Sequence, residues 1–298
     1  MSTIDLQGAI AQSRYHAKNG LEDDIQYEDD EVKIIATHFP LGVVGAICPW
    51  NFPLILSNIK VVASLATGNC VIVKPSPFTP YAVMKWAELA RGIFPPGVFQ
   101  VVNGGADLGQ LMTSHPGIDK ISFTGTTAVG KRVMASCAKT LKKVTLELAG
   151  NDACIVLPDV NLDKVVPKIA QGGFFNAGQV CVASKRIYVH ESIYDEFLRK
   201  IVDEVERSYA VQEDPDAPSV FGPVSNKVQF EVVKNIIEDC KKNGYDVITG
   251  GQTQNVASRG LFLPPTIVSK PPEDSLLVKE EQFGKPLPVS LPSFVCHH

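Results

Sequence analysis

The 298-residue sequence has no C-x-x-C pair, no stripe of lysine and arginine interleaved with aromatic residues, and no apolar run long enough to span a bilayer. Each absence removes a class of function. Seven cysteines, an odd number without close pairs, speak against a disulfide framework and for a reducing compartment. A net charge of −4 offers phosphate backbones no basic surface, so nucleic acid is not expected as a partner. The opening residues MSTIDLQGAI lack the basic and apolar regions of a secretory signal, and the expectation is a cytoplasmic protein with no membrane partner. Neither the G-x-G-x-x-G dinucleotide fingerprint nor a P-loop ending in Lys-Ser/Thr occurs. Cys296, His297 and His298 are metal-ligating types, but three adjacent terminal residues do not readily converge on one ion, so no metal is expected.

What remains is an ordinary globular composition, 45% hydrophobic and 20% charged, long enough for about two domains. Residues 5–20 read as a short amphipathic helix closing at Gly20, and the acidic run LEDDIQYEDDE that follows reads as a solvated connection. Residues 32–47, apolar around His-Phe-Pro-Leu-Gly, predict two strands about a turn. Helical candidates at 54–67 and 80–94 then alternate with the β-rich runs NCVIVKPS, GVFQVVNGG, DKISFTG, KVTLELAG and ACIVLPD. Near-continuous apolar strands separated by helices are the pattern of a parallel sheet covered on both faces. Ligands of such sheets lie at the carboxyl ends of strands, where this chain places Lys74, Gly104, Gly105, Gly125 and Glu147. Farther on, Ser192 with Asp195 predicts a capping box opening a helix to about Arg207, and a second helix is expected over 225–243.

Residues 146–189 hold the chemistry: LELAGNDACIVLPD, a helix-length segment, then NAGQVCVASKRIYV. Glu147 ends a β-like run and Cys181 lies in a small-residue turn, the minimum equipment for covalent catalysis followed by hydrolysis. Taken singly, neither decides the matter. A cysteine in Val-Cys-Val-Ala is ordinarily a small buried hydrophobe, and a glutamate is ordinarily a surface charge. The turn FTGTTAVGK ends a strand and opens a helix whose Val129, Val133 and Cys137 share a face. Backbone N–H groups there suit a phosphate, although the same turn also serves as a plain strand-to-helix connection.

The order and spacing of six motifs resemble the aldehyde dehydrogenase superfamily: PWNFPL, KPSPFTP, FTGTTAVGK, LELAGN, GQVCVASKR and EEQFG. The resemblance runs from about residue 9 to 289. It implies an α/β fold, with a Rossmann-like cofactor domain over residues 1–149 and a second α/β catalytic domain over 150–298. It also implies that the 32–47 hairpin serves homo-oligomerisation. Cys181 matches the nucleophile that attacks an aldehyde carbonyl, Asn51 the amide that steadies the oxyanion, and Glu147 the base that activates water for thioester hydrolysis. For an NAD or NADP cofactor, Lys74 and Ser76 match the adenosine ribose positions and Gly105 the approach to the adenine. Trp50, Gly125, Thr126 and Gly130 match the pyrophosphate region, and Glu281 and Phe283 the nicotinamide ribose and ring.

Three departures qualify the match. Pro77 stands where many NAD-preferring relatives carry a ribose-binding glutamate, which leaves NAD against NADP open. Lys285 stands where the family generally has proline. Relatives also extend beyond both ends of the match, and the tail SLPSFVCHH fits no family segment, so the catalytic domain is expected to be incomplete. Two functions follow: an NAD(P)-dependent oxidation of an aldehyde to a carboxylic acid, or a non-catalytic remnant that binds dinucleotide or pairs with a full-length relative.

Overall fold

The computed structural model describes residues 2–211, 221–256 and 260–292; the cysteine and histidines of the tail lie outside them. The chain divides into two compact units, Met1–Leu148 and Ala149–His298.

The first unit begins with α1 (Ser2–Lys18), β1 (Asp24–Glu28) and β2 (Lys33–Ala36), followed by β3 (Val43–Ile47) and α2 (Pro53–Ala66). It continues through β4 (Cys70–Lys74), α3 (Tyr81–Leu89), β5 (Phe99–Val101), α4 (Ala106–Ser114), β6 (Lys120–Thr124), α5 (Thr127–Ala138) and β7 (Lys143–Glu147). Its main sheet has the order β5-β4-β3-β6-β7 with every pairing parallel, the doubly wound arrangement. The period of two along each strand divides the core. Val44, Ala46, Val71 and Val73 face α2 and α3 through Val61 and Val83, while Ile47, Ile121 and Phe123 join Met112, Val133 and Cys137 of α4 and α5 on the other face. Both faces are apolar because both are covered.

The strand pair expected over 32–47 does not form. β2 pairs backwards with β1 in an antiparallel hairpin, while β3 enters the parallel sheet between β4 and β6. Burial on both faces draws Val43–Ile47 inward, and two side chains capture the amides that lead into it. Asn69 Oδ1 accepts from Leu41 and Gly42, and Asp119 Oδ2 accepts from Val43 at 2.8 Å. The acidic run is therefore half of a hairpin instead of a connection. Asp29 closes its turn by accepting the Glu31 and Val32 amides at 2.8 and 2.7 Å, a local side-chain-to-backbone bond that aspartate favours.

The second unit contains β8 (Ala153–Val156), α6 (Leu162–Phe174), β9 (Arg186–Val189), α7 (Tyr194–Ser208) and α8 (Lys227–Lys242). β10 (Asp246–Thr249), β11 (Thr266–Ser269), α9 (Leu276–Lys279) and β12 (Pro286–Ser290) complete it. Its sheet runs β10-β11-β12-β9-β8, parallel except for β10. Phe174, Phe197, Ile201 and Val205 from α6 and α7 pack on Ile187, Ile267 and Val289. The capping box at Ser192 is replaced by a short 3-10 turn, Glu191–Ile193, ahead of α7. There the ring of His190 accepts the Ser192 amide at 3.2 Å, so the cap lies two residues upstream of the sequence expectation. Among the described residues no helix is long and apolar enough to cross a membrane.

Candidate active site

In the first unit the candidate groups stand at strand ends and helix starts. Asn51, half-buried, lies in the turn between β3 and α2. Pro53 opens that helix, a position that suits its missing N–H. The exposed amides are taken up from α1: Asp5, itself buried, accepts from Leu54 and Ile55 at 2.9 and 2.8 Å. Glu147 is the last residue of β7, exposed, with its backbone carbonyl accepting the Gly125 amide at 3.0 Å. Lys60, on the buried side of α2, donates to Ser122 Oγ at 3.1 Å. Burial pushes its ammonium below the ordinary lysine value, while attraction to Cys48 and then to Glu147 acts the other way.

Lys74 ends β4 and is buried, its Nζ donating to the Pro75 carbonyl at 3.3 Å; burial again lowers it, opposed by Cys48 and Asp107. Buried Ser76 accepts the Phe78 amide through Oγ at 3.3 Å. Trp50 is half-buried, and its carbonyl accepts from Thr79 at 3.4 Å. Thr126 caps α5 by accepting the Val129 amide at 3.4 Å. A side chain at Gly125 would strike the Phe123 ring, and one at Gly130 would strike Leu148. Packing thus accounts for Gly130. Gly105 caps α4, where an added Cβ would meet only the end of the Asp107 side chain at 2.9 Å.

In the second unit the backbone is irregular around Cys181. Asn176, Ala177 and Gly178 have φ of 51°, 58° and 74°, three left-handed residues in succession. Only glycine adopts this region without steric cost. At Gly178 a Cβ would also collide with the Gly284 carbonyl. Gln179, buried, fastens the turn by donating to the Asn176 carbonyl at 2.9 Å and accepting the Ser225 amide at 2.8 Å. Cys181 follows, half-buried, with exposed Val182 beside it. Arg186 does structural duty: its Nε donates to the Asn151 carbonyl at 2.9 Å.

Glu281 and Phe283 lead into β12, and Phe283 is itself left-handed, φ 43°. Burial raises the Glu281 carboxyl, against attraction to Lys185 and a hydrogen bond from the Gly150 amide, with Asp152 adding to the rise. Its Oε1 is buried and has no donor among the described residues. A buried acceptor of this kind is suited to a hydroxyl from a sugar, so it fits a nucleotide ribose. Lys185 is 2% exposed and donates to the Gly178 carbonyl at 2.6 Å, with Nζ 5.1 Å from the centre of the Phe283 ring. Cys181, Glu281 and Phe283 are thus gathered about one ammonium. Lys285, the residue that departs from the family pattern, is fully buried and donates to the Leu263 and Gly222 carbonyls at 2.6 and 3.1 Å.

Asp5, Lys60 and Lys185 escape the reading of the sequence. The signal for Lys60 is a lone cation on a helix whose Ser57, Asn58, Val61 and Ser64 are buried. Lys185 stands inside a quoted motif, but nothing in a run of small residues announces that its ammonium points inward. Asp5 lies 49 residues from the amide it caps, beyond any local pattern.

The family model described as the aldehyde dehydrogenase family matches residues 1–291. Aldehyde dehydrogenase LUC3 of Fusarium sp is 44% identical over 283 residues, 95% of this chain and 59% of the relative. Among solved structures, a Mycobacterium tuberculosis aldehyde dehydrogenase complexed with NAD+ superposes with a TM-score of 0.91 at 32% identity, covering 99% of this chain and 61% of that one. An Escherichia coli NADP dependent enzyme gives 0.89 at 34%, covering 98% and 62%. The chain therefore spans about three fifths of the length of these relatives. With its doubly wound sheet and a match along nearly its whole length, this chain belongs to the aldehyde dehydrogenase family.

Proposed function

We propose that the chain carries the chemistry of an NAD(P)-dependent oxidation of an aldehyde to a carboxylic acid. The observation that carries this reading is the presence of all three reactive side chains at stations open to a small molecule: Cys181 and Asn51 half-buried, Glu147 exposed at a strand end. The Cys181 thiolate adds to the aldehyde carbonyl carbon, and the Asn51 amide donates to the resulting oxyanion. A bound nicotinamide dinucleotide supplies the acceptor for the hydride that leaves that carbon. Glu147 then takes a proton from water as its oxygen attacks the thioester, which releases the carboxylic acid and returns the thiolate. Lys60 keeps a positive charge near Glu147.

Lys74, Ser76, Trp50, Gly105, Gly125, Thr126 and Gly130 are proposed to hold the adenosine and pyrophosphate, and Glu281 and Phe283 the nicotinamide end. Of two neighbours, one is described with NAD+ and the other as NADP dependent. Pro77 is exposed and brings no carboxylate toward a 2′-phosphate, so both dinucleotides enter the test. We also propose that the β1–β2 hairpin, with Ile25, Tyr27, Ile34 and Ile35 exposed, serves homo-oligomerisation.

Single-turnover mixing of the chain with an aldehyde panel and either dinucleotide tests the reaction. The expected result is a burst of reduced nicotinamide that Cys181→Ala abolishes, a loss of about 10,000-fold or more. Folded protein that binds dinucleotide but gives no burst would overturn turnover in favour of the remnant that binds, or pairs with a longer relative, without reacting.

A further inference from the structure

Among the described residues Lys185 is the one buried ammonium that the proposed reaction leaves without a task and that touches the segments bearing its nucleophile and its cofactor contacts. It is 2% exposed, although lysine is rarely buried unless its charge is compensated. Its contacts supply that compensation in three ways. Nζ donates to the Gly178 carbonyl at 2.6 Å, the ammonium lies 5.1 Å from the centre of the Phe283 ring, and the titratable groups facing it are Glu281, Cys181 and Asp152. Burial nonetheless brings it down from 10.5 to about 8, which leaves it charged at neutral pH. Its backbone carbonyl accepts from the Gln282 side chain at 3.5 Å, so the residue is held at both ends.

The place where it donates is the informative point. Gly178 ends the run of three left-handed residues, and two of them, Asn176 and Ala177, have a Cβ that this region disfavours. Such backbone costs of order 1 kcal/mol per residue and persists only where its surroundings hold it. Three residues beyond Gly178 stands Cys181, so the direction in which the chain leaves this turn sets the position of the thiol. A charge-assisted bond to the last carbonyl of the turn is a strong and directional hold. The cation that makes it also attracts the Glu281 carboxylate and lies over Phe283.

We propose that Lys185 is a positioning residue: its ammonium clamps the left-handed turn at Asn176, Ala177 and Gly178 to the Glu281–Phe283 segment, and so fixes the site of Cys181. The proposal rests on the reading of Cys181 as nucleophile, but its test requires no turnover.

The measurement is the rate at which iodoacetamide alkylates Cys181 near neutral pH, mapped by peptide mass in the full chain, with Cys181→Ala as the blank. Amide hydrogen exchange over the turn is read in parallel. Lys185→Met should slow alkylation about tenfold and quicken exchange at the Gln179 and Ala183 amides, the loss of one charge-assisted hydrogen bond. Lys185→Gln, which keeps an N–H donor without the charge, should recover part of both. Where Lys185→Met fails to fold, the parent and Lys185→Gln alone decide, with an intermediate rate and intermediate exchange expected. Unchanged alkylation and exchange in a folded variant would overturn the clamp, as would Lys185→Gln behaving like Lys185→Met. Loss of dehydrogenase activity with both readouts unchanged would overturn the clamp and leave the reaction assignment standing, with Lys185 acting on the reaction by another route.

Discussion

The two units place their candidate groups by different means. In the first, regular structure does the work: Lys74 and Glu147 end strands, Gly125 follows one, and Thr126 caps a helix. Its one non-glycine left-handed residue among those described, Leu141, is distant in sequence from every candidate except Glu147 and is 90% exposed. The second unit has four among its described residues, Asn176, Ala177, Lys270 and Phe283. Two of them precede Cys181 by five residues or fewer, and another is a candidate cofactor contact. A strand end sets a side chain's direction at no conformational cost, whereas a left-handed turn needs something to hold it. A buried lysine answers that need here, Lys185 on Gly178.

Four substitutions sharpen that contrast. The largest effect is expected at Lys285, whose ammonium burial lowers from 10.5 to about 7. Below pH 7 the lysine is charged in the folded and unfolded chain alike, and the cost of burying it is present in full. Between about pH 7 and 10 the folded chain sheds the proton first, so the cost falls and stability rises with pH. Lys285→Met should therefore raise stability by about 1–4 kcal/mol at low pH, and the gain should shrink as pH rises through that window. Thermal midpoints of both proteins across pH check this; a gain that does not shrink would mean that packing, and not charge, is responsible.

Asp5→Ala should act in the opposite sense in the first unit. It strips the buried acceptor from two amides of α2 and should cost about 2 kcal/mol, measured by urea unfolding. A loss within error would show that water replaces the carboxylate there.

The smallest effects compare the left-handed residues themselves. Leu141→Gly removes a Cβ that is strained and exposed, so thermal unfolding should show a gain of about 1 kcal/mol. Ala177→Gly relieves similar strain but gives up a buried methyl, worth about 0.8 kcal/mol, and should change stability little. Equal gains at both positions would mean that the turn before Cys181 is not packed as described.

The same contrast governs how much the sequence discloses. The parallel sheet and the stations of Lys74, Gly125 and Glu147 are legible because an apolar strand followed by a polar or glycine residue marks its carboxyl end. The pairing of β2 is not, since Lys33–Ala36 and Val43–Ile47 look alike until burial sorts them: the first is largely exposed, the second buried in the sheet. The left-handed turn is likewise hidden, because Asn176 and Ala177 are unremarkable residues whose conformation is set by Gly178, Gln179 and Lys185. Cys181 is recognisable through its motif, while the group that holds it in place is visible only once the chain is folded.

The most direct test of the account addresses the proposed roles of Glu147 and Cys181. In Glu147→Gln the thioester should form but hydrolyse about 100-fold to 10,000-fold more slowly, so single-turnover mixing with aldehyde and dinucleotide should yield reduced nicotinamide and an acyl adduct on the Cys181 peptide by mass spectrometry. Folded variant that yields neither the adduct nor reduced nicotinamide, under conditions where the parent gives its burst, would contradict the division of labour between Glu147 and Cys181.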